Sequence, residues 1–71
     1  MTPNEAEQAI KERLGAVSVR HIVDAGVRSF LVEWEDFRHA ASSRADESLE
    51  DAVKWAIFGL SEWIEKKRKA A

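Results

Sequence analysis

The chain of 71 residues contains no cysteine, one proline and only three glycines. Without thiols there is neither a disulfide framework nor a thiolate metal site, which fits a reducing compartment. The glycines are scattered as Gly15, Gly26 and Gly59, so no phosphate-cradling loop is present. No apolar run approaches the ~20 residues that span a bilayer. The amino-terminal MTPNEAEQ has no basic start and no apolar stretch, so no signal peptide is expected and the chain is read as cytoplasmic. An excess of one charge is also lacking. Eleven Lys and Arg against 13 Asp and Glu leave a net charge of −2, neither the field of a typical nucleic-acid binder nor the dense acidity of a DNA mimic.

The apolar fraction is 45% and the charged fraction 34%, the balance of one small globular domain covering residues 1–71. A domain of this size buries only about 60% of the surface its unfolded chain exposes. The isolated monomer is therefore expected to be marginal unless its packing is good or another chain completes the core.

Thr2, Pro3 and Glu5 spell a helix start: a hydroxyl N-cap, proline where no N–H is missed, and a glutamate placed to close a capping box. Ala6, Ala9, Ile10 and Leu14 recur at helical spacing, and Gly15 stands where a left-handed cap is wanted. From Ala16 the period becomes two. Val17, Val19 and Val23 share one side with His21, and Ser18, Arg20 and Ile22 share the other, which predicts a half-buried strand. A turn at Asp24, Ala25 and Gly26 leads into a second strand with Phe30, Val32 and Trp34 on one face and Ser29, Leu31, Glu33 and Glu35 on the other. After a tight turn at Glu35 and Asp36, residues 37–44 read either as a third strand of small residues or as a loop. Ser48 then opens a second helix with Glu50 and Asp51 in its first turn and Lys66, Lys67, Arg68 and Lys69 in its last. Leu49, Ala52, Val53, Ala56, Ile57, Leu60 and Ile64 form its apolar stripe. The expected fold is α+β, in the order α-β-β-(β)-α, with two helices on one face of a small antiparallel sheet. That topology is the one of a double-stranded-RNA-binding-like domain.

At about 100° per residue, Trp55 and Phe58 fall well off the apolar stripe of the second helix and Trp63 falls at its edge. Two readings follow. Either the first helix packs over this flank and buries Trp55, or Trp55 and Phe58 form an exposed aromatic patch suited to docking. Leu31 and Glu33 on the outer sheet face form a second candidate surface.

The carboxylates Glu33, Glu35 and Asp36 cluster at the end of the second strand, but no H-x-H, H-E-x-x-H or acidic-loop spacing accompanies them. They read as solubilising residues, and neither metal nor cofactor nor catalysis is expected. His21, on the apolar side, reads as a hydrogen-bonded core or interface histidine and not as a ligand. A nucleic-acid contact would use Arg44, Lys66, Lys67, Arg68 and Lys69. Double-stranded-RNA binders place lysines at the start of the second helix, whereas this chain has Asp46, Glu47, Glu50 and Asp51 there, which repel phosphate.

The run Phe30 to Phe37 (FLVEWEDF), then Ala45 to Ala52 (ADESLEDA), then Ala56, Leu60, Trp63, Ile64 and Glu65, resembles the N-terminal domain of HicB-type antitoxins over roughly residues 27–65. That family shows an alternating strand ending in a proline-bracketed turn, then a helix cap and an alanine-rich helix. Glu35 and Arg38 stand at the proline positions here, His39 at the glycine, and an extra helix precedes the first strand. The resemblance implies a non-catalytic, oligomerising domain that masks a toxin by protein contact, here without the usual DNA-binding tail. A small inhibitor from a mobile element, including a phage-encoded antagonist of bacterial defence, would look similar. The expected function is thus a non-enzymatic module that docks on a protein partner or on a second copy of itself, as a homodimer, through Trp55, Phe58 and Trp63.

Overall fold

The structure is a computed structural model and describes residues 1–70. Helix α1 (Pro3–Leu14) is followed by strands β1 (Ser18–Asp24), β2 (Val27–Trp34) and β3 (Phe37–Arg44) and by helix α2 (Leu49–Ala70). The strands form one antiparallel sheet in the order β1-β2-β3, with α1 over β1, α2 over β3 and the two helices packed side by side. The ambiguous segment 37–44 is a full third strand.

The capping box at α1 is complete. The Thr2 N–H donates to Glu5 Oε1 at 3.0 Å and the Glu5 N–H donates to Thr2 Oγ1 at 3.2 Å. The Thr2 backbone N–H, with further help from the Thr2 side chain and the amino-terminal charge, holds the Glu5 carboxyl below its ordinary value. A carboxyl whose folded value is lowered contributes stability that is fully present above the ordinary glutamate range and is lost as pH falls through the lowered value. An acid titration followed by circular dichroism should show α1 loosening over that window, and Glu5→Gln should flatten the pH dependence. At α2, the Asp51 N–H donates to Ser48 Oγ at 3.2 Å, so Ser48 is the N-cap.

Both hairpins turn in two residues. Ala25 and Gly26 have φ of 51° and 76°, the sign pattern of a I′ turn, while Glu35 has φ of 54° as the first residue of a II′-like turn. A non-glycine residue in the left-handed region costs about 1 kcal/mol, and asparagine tolerates it better than alanine. Ala25→Asn, which makes the preferred Asn-Gly pair, should therefore raise the urea midpoint by the equivalent of about 0.5–1 kcal/mol. An unchanged midpoint would mean that this turn is not held as tightly as its dihedrals indicate.

One apolar cluster joins the layers. Ala6, Ile10 and Leu14 of α1, Val19 of β1, Phe30, Val32 and Trp34 of β2 and Ala52, Val53, Ala56, Leu60 and Ile64 of α2 are all buried. Leu49 and Ile57, at the margins of the α2 stripe, pack against the cluster while partly exposed. The valine side of β1 departs from expectation. Val17 is 61% and Val23 51% exposed, leaving Val19 as the buried valine, with His21 half-buried against the Phe30 ring at 5.1 Å. Ala16 takes the buried position at the bend into β1. Val23 projects past α1, because 12 helical residues span about 18 Å while the seven of β1 span about 23 Å.

Arg28 anchors the segment between β3 and α2. Its guanidinium donates to the carbonyls of Ala45 at 3.1 Å and Glu47 at 3.4 Å. This fixes where α2 begins and therefore which of its side chains overlie β3.

Candidate functional site

Helix α2 rests on β3 through Ala52 and Ala56, small residues that let the helix approach Ala41. Trp55, three residues after Ala52 and immediately before Ala56, is thereby carried to the flank of α2 above the outer edge of β3, where it helps line a small hollow with Ala41, Ser42 and Ser43. It is 66% exposed, and Phe58 is 61% exposed. Their rings meet edge to face at 6.5 Å. The reading in which α1 covers Trp55 is therefore corrected: α1 meets the opposite flank of α2, where Arg13 and Leu14 face Ser61, Ile64 and Arg68 across a groove.

Trp63 has a different role. It is half-buried, stacked on His39 at 4.9 Å and set edge-on to Phe37 at 6.2 Å, while Phe37 in turn stacks on Trp34 at 5.9 Å. Of the three aromatics on α2, Trp55 and Phe58 form a surface pair and Trp63 ties the helix to β3. Gly59 lies between the two tryptophans, and a Cβ added there would meet nothing within 4 Å. A mid-helix glycine costs about 1 kcal/mol relative to alanine. Nothing within this chain's own packing calls for it.

The other sheet face is uncovered. Register places Arg20, Leu31 and Ala40 in one row, Ser18, Glu33 and Arg38 in the next, and Ile22, Ser29 and Ser42 in a third. Leu31 is half-buried by its neighbours, Glu33 pairs with Arg38 at 3.8 Å, and the Ser29 and Ser42 hydroxyls lie 3.0 Å apart. Two of these rows mix apolar with polar side chains and the row of Ser18, Glu33 and Arg38 is wholly polar, so the face is mixed and has no continuous apolar patch. It lies on the side of the sheet opposite Trp55 and Phe58, and the two candidate surfaces are not one patch.

The basic residues do not converge. Lys67 sits over the Phe37 ring at 5.2 Å and Arg68 over the Trp34 ring at 5.3 Å, so both are engaged in packing. Lys69 pairs with Glu65 at 3.6 Å, and Lys66 is exposed. Arg44 lies at the far end of β3 with its guanidinium on Asp46 at 2.6 Å. The roles of Lys67, Arg68 and Arg28 were missed by sequence reasoning. For Arg28 a signal existed, since it has the parity of Phe30, Val32 and Trp34 and so had to point toward the helices. Among the described residues, no three His, Asp or Glu side chains gather as a cation would require, and no helix is long and apolar enough to cross a membrane. No protein-family model matches this chain, no curated protein matches it, and no solved structure matches it.

Proposed function

We propose that the protein is a non-enzymatic interaction module that binds, and by binding masks, a protein partner through the outward flank of α2. One observation carries this reading. Two large aromatic side chains, Trp55 and Phe58, stand together in solvent on a rigid helix whose core-facing stripe is already filled by smaller residues. Rigid aromatics bury much area with little loss of side-chain entropy, which makes them the commonest anchors of protein interfaces. The likeness of residues 27–65 to antitoxin domains supports the same reading, with a toxin or another effector as the class of partner. The arrangement of the basic residues gives little support to a nucleic-acid interface, since two of them lie on aromatic rings and two more are paired with carboxylates.

The test is capture of partners from host lysate on the tagged full chain, with and without nuclease, compared with a Trp55→Ala, Phe58→Ala double variant. A nuclease-resistant protein retained by the wild type and lost by the variant is the expected result. Recovery that depends on nucleic acid and ignores the variant would overturn the reading.

A further inference from the structure

Helix α2 has three flanks. Ala52, Ala56 and Trp63 face β3, and Ser61, Ile64 and Arg68 face α1 across the groove. The third flank is open to solvent. Asp51, Trp55, Phe58, Gly59, Glu62 and Lys66 recur along it at helical spacing, and all six are exposed.

Charge divides the helix and the turn before it into three parts. Residues 47–54 hold three carboxylates and one lysine, residues 55–61 hold no charge, and residues 62–70 hold four cations and two carboxylates. Acids near a helix N-terminus and bases near its C-terminus suit the helix dipole in any helix. Here the change of sign also runs along the open flank, with the two exposed rings at its uncharged centre. Among the described residues the ion pairs are Glu33 with Arg38, Arg44 with Asp46 and Glu65 with Lys69, so Asp51 and Lys66 are in none of them. Between these two stands Gly59, where a Cβ would meet nothing within the chain. Glycine weakens the helix there without serving a contact of its own chain, and glycine is the residue that lets a second backbone come close.

We infer that the chain pairs with a second copy of itself through this flank, with the two α2 helices antiparallel and crossing at Gly59. In reversed order the acidic end, the uncharged centre and the basic end of α2 are complementary to themselves, so the sequence supplies its own partner. With the two-fold axis between Phe58 and Gly59, positions equally far from it on the two helices face each other. Phe58 then meets Phe58 and Gly59 of the second copy at the closest approach, and Trp55 lies along the Glu62 stem of the second copy. Asp51 and Lys66 are each about 11 Å along the helix from the axis. Asp51 therefore meets Lys66 of the second copy, and the symmetry makes that contact twice. A parallel pair would set like ends together. The four exposed rings remove roughly 500 Å² from water. That is under half of a standard interface, so the pair is weak, with a Kd of about 10–100 µM. This rests on the reading of Trp55 and Phe58 as a docking face and names an occupant for it, which an effector bound at the same face displaces.

The experiment is sedimentation of the purified full chain at low salt, with no effector present, each variant first shown to be folded by circular dichroism. Between about 5 and 500 µM the wild type should pass from monomer to dimer. Trp55→Ala, Phe58→Ala should stay monomeric. Asp51→Lys and Lys66→Asp should each weaken pairing about tenfold alone, because each sets like charges across the seam. An equimolar mixture of those two variants should recover the wild-type affinity, because both contacts then join opposite charges. The N-cap survives Asp51→Lys, since the Asp51 backbone N–H is what donates to Ser48. Arg20→Glu changes the net charge as much as Lys66→Asp does, but on the outer sheet face, and should leave pairing within a factor of about two. Gly59→Gln should raise the melting temperature of the dilute monomer and yet weaken pairing at least tenfold. A monomer at the highest concentration, pairing that survives Trp55→Ala, Phe58→Ala, or charge variants that stay weak when mixed would overturn the inference. So would an Arg20→Glu effect equal to that of Lys66→Asp, since net charge would then be the cause. A chain that stays monomeric, beside a lysate partner lost with Trp55→Ala, Phe58→Ala, would overturn the pairing alone. A dimer dissolved by that double variant, beside capture that ignores it, would uphold the pairing and overturn the masking reading.

Discussion

Phe30→Ala is expected to cost about 3–5 kcal/mol of folding free energy, and Phe58→Ala less than about 0.5 kcal/mol, although the same side chain is removed in both. Phe30 is 1% exposed, in the central strand, flanked by His21 across one ladder and Ala41 across the other. Deleting its ring leaves a cavity between β1 and β3, which the sheet holds in place so that they cannot collapse into it. A single core in a chain of about this size rarely supplies more than about 3–5 kcal/mol, so a loss of that size should leave this variant substantially unfolded. Phe58 is 61% exposed and touches Trp55. Alanine is the better helix former, which offsets the loss of that single aromatic contact. Urea denaturation beside the wild type measures the cost at Phe58, and loss of the folded baseline or of the transition reports the large cost at Phe30. Equal costs would mean that Phe58 is part of the fold and not of an interface.

Partner affinity should show the reverse order. Trp55→Ala with Phe58→Ala is expected to weaken binding at least 100-fold, about 3 kcal/mol, because central aromatic anchors cost 2 kcal/mol or more when truncated. The affinity should fall only modestly between low and physiological salt, because the contact is apolar at its centre with charges at the rim. A binder using Lys66 and Lys69 on phosphates would lose affinity steeply over the same range. Titration calorimetry at two salt concentrations separates these outcomes. An affinity unchanged by the double substitution would remove α2 from the interface.

Much of the architecture is legible in the residues. The Thr2, Pro3 and Glu5 signature, the alternation through Phe30, Val32 and Trp34, and the uninterrupted stripe of α2 each reflect one strong local rule, and in each the folded chain obeys it. The segment 37–44 was ambiguous because Ala and Ser carry little strand preference of their own. It becomes a strand because β2 offers it a ladder and α2 needs small residues beneath it. The burial of Val17 and Val23 was misjudged for two reasons that periodicity does not contain. Val17 lies before β1, at the bend where Ala16 takes the buried position. At Val23 alternation reports which face the side chain takes, and the reach of α1 decides whether that face is covered there.

The candidate surface was legible to the same degree. Helical angle alone removes Trp55 and Phe58 from the core stripe, but whether a neighbouring element buries them depends on which flank of α2 meets α1. Helical angle leaves both options open, and the groove between Arg13, Leu14 and Ile64 decides between them. Trp63 was harder. Its angle is borderline, and its role depends on His39 and Phe37 arriving beneath it from a strand that the local sequence did not guarantee. The engagement of Lys67 and Arg68 with Phe37 and Trp34 has the same origin, since a run of cations at a helix end looks solvated until the sheet beneath it is known.

The two candidate surfaces lie on opposite sides of the sheet, and that geometry provides the most direct test of the central claim. Binding of the captured partner should be measured side by side for Trp55→Ala, Phe58→Ala and for Leu31→Ala, Glu33→Ala, each variant first shown to be folded. The account predicts that the first pair loses binding at least 100-fold and the second stays within a factor of about three of wild type. Loss confined to the Leu31 and Glu33 variant would place the interface on the open sheet face and contradict it.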